Sequence, residues 1–187
     1  MAMRAAVPRY TLQDLDSFPD DGNRYELVDG ILLVTPAPLL PHDVVVMRLI
    51  RLFTVHFEPD HAAWVSARGV VEIAPNVHME PDVLVFPTRP VLPENWLELH
   101  EWWLAVEVSG RGSRIYDREF KRPAYLAAGV REVWRADLKE RCVFVSTPEG
   151  PDERREDQRL VWHAPEGHPE TLVVDVGALF EGVRGDD

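Results

Sequence analysis

Three charged residues stand beside apolar runs where charge is costly. Asp82 follows Pro81 and opens the run Val83-Leu84-Val85-Phe86; Glu107 interrupts the run Trp102 to Val108; Lys121 lies in the helix-patterned segment beyond. Two carboxylates on neighbouring strands and one ammonium could hold a divalent metal and an attacking water. Glu107 carries most weight, because a carboxylate in so apolar a strand costs several kcal/mol unless it is paired or bound to a cation. Asp82, by position alone, reads first as turn chemistry after a proline. Lys121 has a plain alternative partner in Asp117, four residues earlier, as a surface pair worth roughly 0.3 kcal/mol.

Other polar residues admit two readings each. Glu26, next to an Asp29-Gly30 turn, is either a solvent-facing strand residue or a third carboxylate if its hairpin folds onto the sheet. His42 reads first as a capping or solvent-facing residue, and no second histidine lies at helical metal-ligand spacing from it. Arg114, Arg118 and Arg122 follow i, i+4, i+8 spacing, which suits a solvated helix face or a row of phosphate contacts. Only Lys121 and Lys139 among the 20 basic residues are lysine. Where arginine is so heavily preferred, a retained lysine suggests use of its compact ammonium.

The chain has 187 residues, 45% apolar and 28% charged, which suits one domain with a real core. No apolar stretch approaches the roughly 20 residues of a membrane span. Met1 to Tyr10 lacks the apolar core of a secretory leader. Cys142 is the sole cysteine, so neither an internal disulfide nor a multi-cysteine metal site can form, and a reducing cytoplasm is expected. A net charge of −12 argues against a general nucleic-acid binder. The segment Gly110 to Arg122 runs the other way, with five basic and two acidic residues.

The elements that must position these groups are legible in outline. Thr11 to Asp14 looks like a helix start with its acidic capping partner. Arg24–Val28 and Ile31–Thr35 flank Asp29-Gly30 as a hairpin. A first long helix runs from His42 to Glu58, with Val44, Met47, Ile50 or Leu52, Phe53 and Phe57 as its apolar face. Ala63–Ala67 and Val70–Ala74 read as strands joined by Arg68-Gly69, followed by Val83–Phe86 and a central strand Trp103–Val108. Thr88 to Glu101 reads as an irregular connection with one helical turn. A helix from Ser113 to Ala128 ends at Gly129, bent at Pro123 or starting nearer Phe120, with Tyr116, Phe120, Ala124 and Ala127 as its buried stripe. Strands follow at Val133-Trp134, Val143–Val145, Leu160–Trp162 and Leu172–Val174, in a core of about 10–146 with C-terminal strands in 158–182.

Taken in order, Tyr25-Glu26-Leu27-Val28-Asp29-Gly30, His42, Pro81-Asp82, Glu107-Val108-Ser109, Asp117 with Lys121 and Tyr125, and Gly129 to Trp134 resemble the Uma-two family. That family is a domain of unknown function classed with restriction endonucleases of the PD-(D/E)XK type. The resemblance spans about Tyr10 to Ser146. It implies an α/β (α+β) core, a central mixed sheet flanked by helices. It further implies a nuclease acting on DNA, with Mg²⁺ or Mn²⁺ held by Asp82, Glu107 and the Val108 carbonyl. Ser109 stands where Glu-x-Lys would place a lysine, which nominates Lys121 from the following helix. Glu26 would reach a second metal or its water, with His42, Ser109 and Tyr125 as auxiliaries. Cutting both strands of a duplex implies a homodimer. Two alternatives stand beside this: a nuclease fold used for binding or regulation, and a partner-binding protein with Trp96, Trp102 and Trp103 as interface and Glu107 held by an arginine.

Overall fold

The computed structural model describes residues 8–150, 152–165 and 171–185. Most of the amino-terminal segment read for a leader therefore lies outside the described residues. A short helix α1 (Leu12–Leu15) starts where Thr11 donates to the Asp14 carboxylate from both its N–H and its hydroxyl. Strands β1 (Arg24–Val28) and β2 (Ile31–Thr35) form the expected hairpin. Asp29 (φ 50°) and Gly30 (φ 78°) take the two left-handed positions that a two-residue turn demands.

Helix α2 (Leu40–Phe57) buries Val45, Leu49, Phe53 and Phe57. The expected face was displaced by a residue near its start: Met47 is 68% exposed and Val44 only partly buried. Three successive valines, Val44 to Val46, make several apolar faces equally plausible in sequence, and packing selects the i+4 row.

Strands β3 (Ala63–Ala67), β4 (Val71–Ile73), β5 (Val77–Met79), β6 (Val83–Pro87) and β7 (Leu104–Ser109) follow. Then come β8 (Glu132–Asp137), β9 (Cys142–Ser146), β10 (Arg154–Glu156), β11 (Arg159–His163) and β12 (Thr171–Asp175), with α5 (Val176–Leu179) after them. The main sheet has six strands in the order β10-β9-β8-β7-β6-β3; a second has the order β2-β1-β5-β4; β11 and β12 pair with each other. Arg68-Gly69 joins β3 to β4 and carries the chain from one sheet to another, because β3 pairs with β6 and β4 with β5. Among the described residues all pairings are antiparallel except β7 with β8. A parallel pair needs a crossover, and here the helical segment between residues 114 and 128 supplies it.

The two faces of the main sheet are covered differently. Val83, Val85, Leu104, Val106 and Val108 face α2, the β11–β12 hairpin and α5, around Trp134 and Trp162. Leu84, Phe86, Ala105 and Val133 face the second sheet and the crossover helix. Alternation along a strand sends Asp82 with Leu84 and Glu107 with Ala105, so both carboxylates point toward that second layer.

The crossover comprises α3 (Arg114–Tyr116), a π-helical turn (Asp117–Lys121) and α4 (Arg122–Ala128), ending at Gly129 with φ 99°. The wide turn lies just ahead of Pro123, which has no N–H to donate. Its inward residues are Asp117, Lys121 and Tyr125, all buried. The expected apolar stripe is overturned: Tyr116 is 44% and Phe120 36% exposed, Ala127 is exposed and Ala124 half-buried. Trp102 and Trp103 are buried rather than displayed as an interface.

Candidate active site

The cluster is assembled from four directions. Glu26 comes from β1, Asp82 from the entry to β6, Glu107 from the middle of β7, and Lys121 from the π turn. Lys121 Nζ lies 2.7 Å from Glu107 Oε1 and 2.9 Å from Glu26 Oε1, with Asp117 Oδ1 at 4.0 Å. All of these side chains are buried. The surface-pair alternative for Lys121 and Asp117 is therefore wrong, and so is the alternative of Glu107 held by an arginine. Glu107 Oε1 instead also accepts a 2.6 Å hydrogen bond from the Tyr125 hydroxyl.

Asp82 is held by a separate set of donors. Its Oδ2 accepts from the Val108 N–H at 2.9 Å and lies 2.9 Å from His42 Nε2, while Arg24 donates to Oδ1 at 3.2 Å. The β6–β7 ladder runs only from Leu104 to Val106 on β7, so beyond it the Asp82 carboxylate replaces a strand partner at Val108. The Val108 carbonyl leaves the strand on that same edge, because a residue's N–H and C=O point to one neighbour.

Electrostatics separate the two carboxylates. Burial raises Glu107 well above the usual carboxylate range, and the nearby Asp82, Asp117 and Glu26 add to this against the pull of Lys121. For Asp82 burial also opposes the charge, but the His42 hydrogen bond and the charges of His42, Arg24 and Lys121 prevail and bring it down to about 2. Burial opposes the charge on Lys121, yet Glu107, Glu26, Asp117 and Asp82 outweigh it and raise its pKa, so it stays an ammonium. Glu26 uses Oε1 for Lys121 and for the Glu80 N–H at 2.7 Å, whereas its buried Oε2 has no hydrogen-bond partner among the described residues.

These groups form the floor of a cavity of about 410 Å³. Its walls include the proline-rich stretch from Thr35 to Pro41 and the turn Gly110 to Ser113. Ser109, the residue at the lysine position of the motif, donates to Asp117 Oδ2 at 2.8 Å. The auxiliaries His42, Ser109 and Tyr125 thus each touch one of the central carboxylates or their neighbour Asp117.

The arginine row does not join this floor. Arg114 binds Asp137 through Nε at 2.8 Å and Nη2 at 3.1 Å; Arg118 pairs with Glu119 at 3.3 Å and Glu153 at 3.5 Å; Arg122 Nε donates to the Arg118 carbonyl at 3.3 Å. Arg24 was not singled out from the sequence, although it lies two residues before Glu26 and so on the same strand face. Asp117 was weighed as a surface partner and otherwise stood only among the residues that carry the family resemblance. Its burial inside the helix–sheet layer had no signal in local sequence.

The residues from 12 to 177 match the model of the family described as "Uma2: Putative restriction endonuclease". The chain belongs to that family. Among curated proteins none matches. Among solved structures, one similar chain is the crystal structure described as a putative nuclease belonging to DUF820 from Anabaena variabilis. It shares 18% identity over 92% of this chain and 98% of that one, with a TM-score of 0.74. At that identity the likeness concerns the fold, and it supports the restriction-endonuclease-like architecture. Among the described residues no helix is long and apolar enough to cross a membrane.

Proposed function

We propose that this Uma2 protein is a divalent-metal-dependent nuclease that hydrolyses phosphodiester bonds in DNA. The observation that carries the reading is the convergence of Asp82, Glu107, Glu26 and Lys121 on one cavity floor. Among the described residues no three His, Cys, Asp or Glu side chains gather as a preformed metal cage. Two carboxylates with the Val108 carbonyl as third ligand still give hard oxygen donors of the kind Mg²⁺ or Mn²⁺ takes. The partnerless Glu26 Oε2 adds a buried acceptor that a cation or its water would satisfy. Such a metal supplies Lewis-acid stabilisation of the phosphoryl oxygen and a more acidic water.

The chain's own groups have distinct tasks. Lys121, held charged by the surrounding carboxylates, positions the attacking water and offsets charge developing on the phosphate. Tyr125 fixes the Glu107 carboxylate through their 2.6 Å hydrogen bond. His42 and Arg24 orient Asp82 and neutralise it where it is out of reach of bulk water. Arg114, Arg118 and Arg122 are engaged on the far flank of the helix, which supports a structural rather than a phosphate-binding role. Cutting both strands of a duplex would call for two copies of this site, as a homodimer provides.

The test is cleavage of a pool of single- and double-stranded DNA and RNA with Mn²⁺, comparing the wild type with Lys121→Met. Metal-dependent cleavage that falls about 100-fold or more in the variant is expected. Wild-type protein that cuts nothing in the pool would overturn the reading, and cleavage untouched by the substitution would remove Lys121 from it.

A further inference from the structure

Two exposed aromatic rings stand on the same helical segment that supplies Asp117 and Lys121. Tyr116 and Phe120 are 44% and 36% exposed, with ring centroids 6.0 Å apart and planes at 42°. That segment turns Asp117 and Lys121 inward and its two aromatic rings outward, the reverse of ordinary burial preference for these residues, while Arg118 and Glu119 stay exposed. Ser113, Tyr116 and Phe120 are spaced i, i+3, i+7 and so share one flank of the helix, opposite Arg118 and Arg122. Ser113 lines the cavity. Tyr116 and Phe120 lie outside that lining, on the helix flank that carries Ser113.

Shape and charge point to the same kind of ligand. The cavity of about 410 Å³ is of the size that takes a single small ligand. Asp82 and Glu107 at its floor are each 3% exposed. A stiff duplex carries its phosphates on a broad convex surface, whereas a single strand can dip one phosphodiester into a recess while its unpaired bases splay outward. The chain carries a net charge of −12, and in the Gly110 to Arg122 segment Lys121, Arg114 and Arg118 are already paired with Glu107 and Glu26, with Asp137, and with Glu119 and Glu153. Arg24 and Arg111 line the cavity itself. Such a protein lacks the long basic footprint that duplex binding uses, but has the pairing of aromatic faces and nearby arginines that single strands use.

We propose that the site takes single-stranded nucleic acid, with bases stacked on Tyr116 and Phe120 as the backbone enters the cavity. This rests on the nuclease reading for the presence of a phosphodiester at the floor. Fluorescence anisotropy of a labelled oligo-dT strand, and of a duplex of equal length, with the full chain tests it. The single strand binds more tightly than the duplex, and Tyr116→Ala with Phe120→Ala weakens it by about tenfold per ring. Tyr116→Trp with Phe120→Trp retains binding. Equal affinity for the duplex, an alanine variant that binds as well as wild type, or no binding of either probe would overturn the proposal. So would a fall in light-scattering mass of the alanine variant with strand affinity kept, which assigns the rings to contact with a second copy. Ring-dependent strand binding without any cleavage would sink the nuclease reading alone. Duplex cleavage indifferent to the rings would sink this inference alone.

Discussion

Two charge clusters lie on the same face of the main sheet, under opposite flanks of the crossover helix. In the first, Asp137 accepts from Arg114 at 2.8 and 3.1 Å, from Arg135 at 2.9 Å, and from the N–H groups of Lys139 and Glu140 at 3.0 Å each. Arg135 is further held by Glu153 at 3.0 and 3.1 Å and lies over the Phe144 ring. In the second, the carboxylates of Glu26, Asp82, Glu107 and Asp117 crowd round Lys121 and Arg24, and Glu26 Oε2 has no partner. The first cluster is saturated and stabilises the join between helix and sheet. The second packs four carboxylates round Lys121, Arg24 and His42, holds Glu107 well above the usual carboxylate range and, among the described residues, leaves Glu26 Oε2 unpaired, which suits a positively charged ligand.

Substitution breaks this comparison most sharply. Asp137→Asn leaves Arg114 without its carboxylate and Arg135 with Glu153 alone, and should cost about 3 kcal/mol of unfolding free energy. Glu107→Gln removes one of several like charges while Lys121 keeps Glu26 and Asp117, so its cost should stay below about 1 kcal/mol. Urea unfolding of the two variants beside the wild type measures both. A Glu107→Gln loss as large as that of Asp137→Asn would mean that the second cluster is also a purely structural one.

Acid sharpens it further, because the carboxylates differ in sign. Asp82 is depressed in the folded state, so its contribution is present above about pH 4 and is lost as pH falls toward its folded value of about 2. The amount at stake is about 2 kcal/mol. Glu107 is raised, so its contribution is present at pH values below the ordinary glutamate range and is lost as pH rises through its folded value. Unfolding free energies measured from pH 3 to pH 8 should therefore show a weaker acid loss in Asp82→Asn. They should also show a Glu107→Gln variant that improves relative to wild type as pH rises. Parallel curves for all three proteins would contradict these assignments.

Much of the frame was legible in the sequence. The β1–β2 hairpin boundaries follow from Asp29-Gly30, and the apolar runs around Val83 and Ala105 gave the central strands, because short buried strands must be apolar on both faces. Glu107 stood out for the same reason. The crossover helix was misread because its inward face is Asp117, Lys121 and Tyr125, and a periodicity rule that sends apolar residues inward then selects Tyr116 and Phe120. The pattern slipped by one residue on α2, but it was overturned at the crossover that carries Asp117 and Lys121 of the candidate site. Arg24 and the Glu26 contacts depended on a second sheet folding over the first, and no local pattern encodes that. The arginine row is regular in sequence, yet its partners Asp137 and Glu153 lie on and beyond a different strand pair.

The central claim is that the undersatisfied cluster binds a divalent cation through Asp82 and Glu107. Isothermal titration of Mn²⁺ into the wild type and into Asp82→Asn tests it most directly. The account predicts saturable binding to the wild type that is lost or weakened about 100-fold in the variant. Wild-type protein that takes up no Mn²⁺, or an Asp82→Asn variant that binds it unchanged, would contradict it.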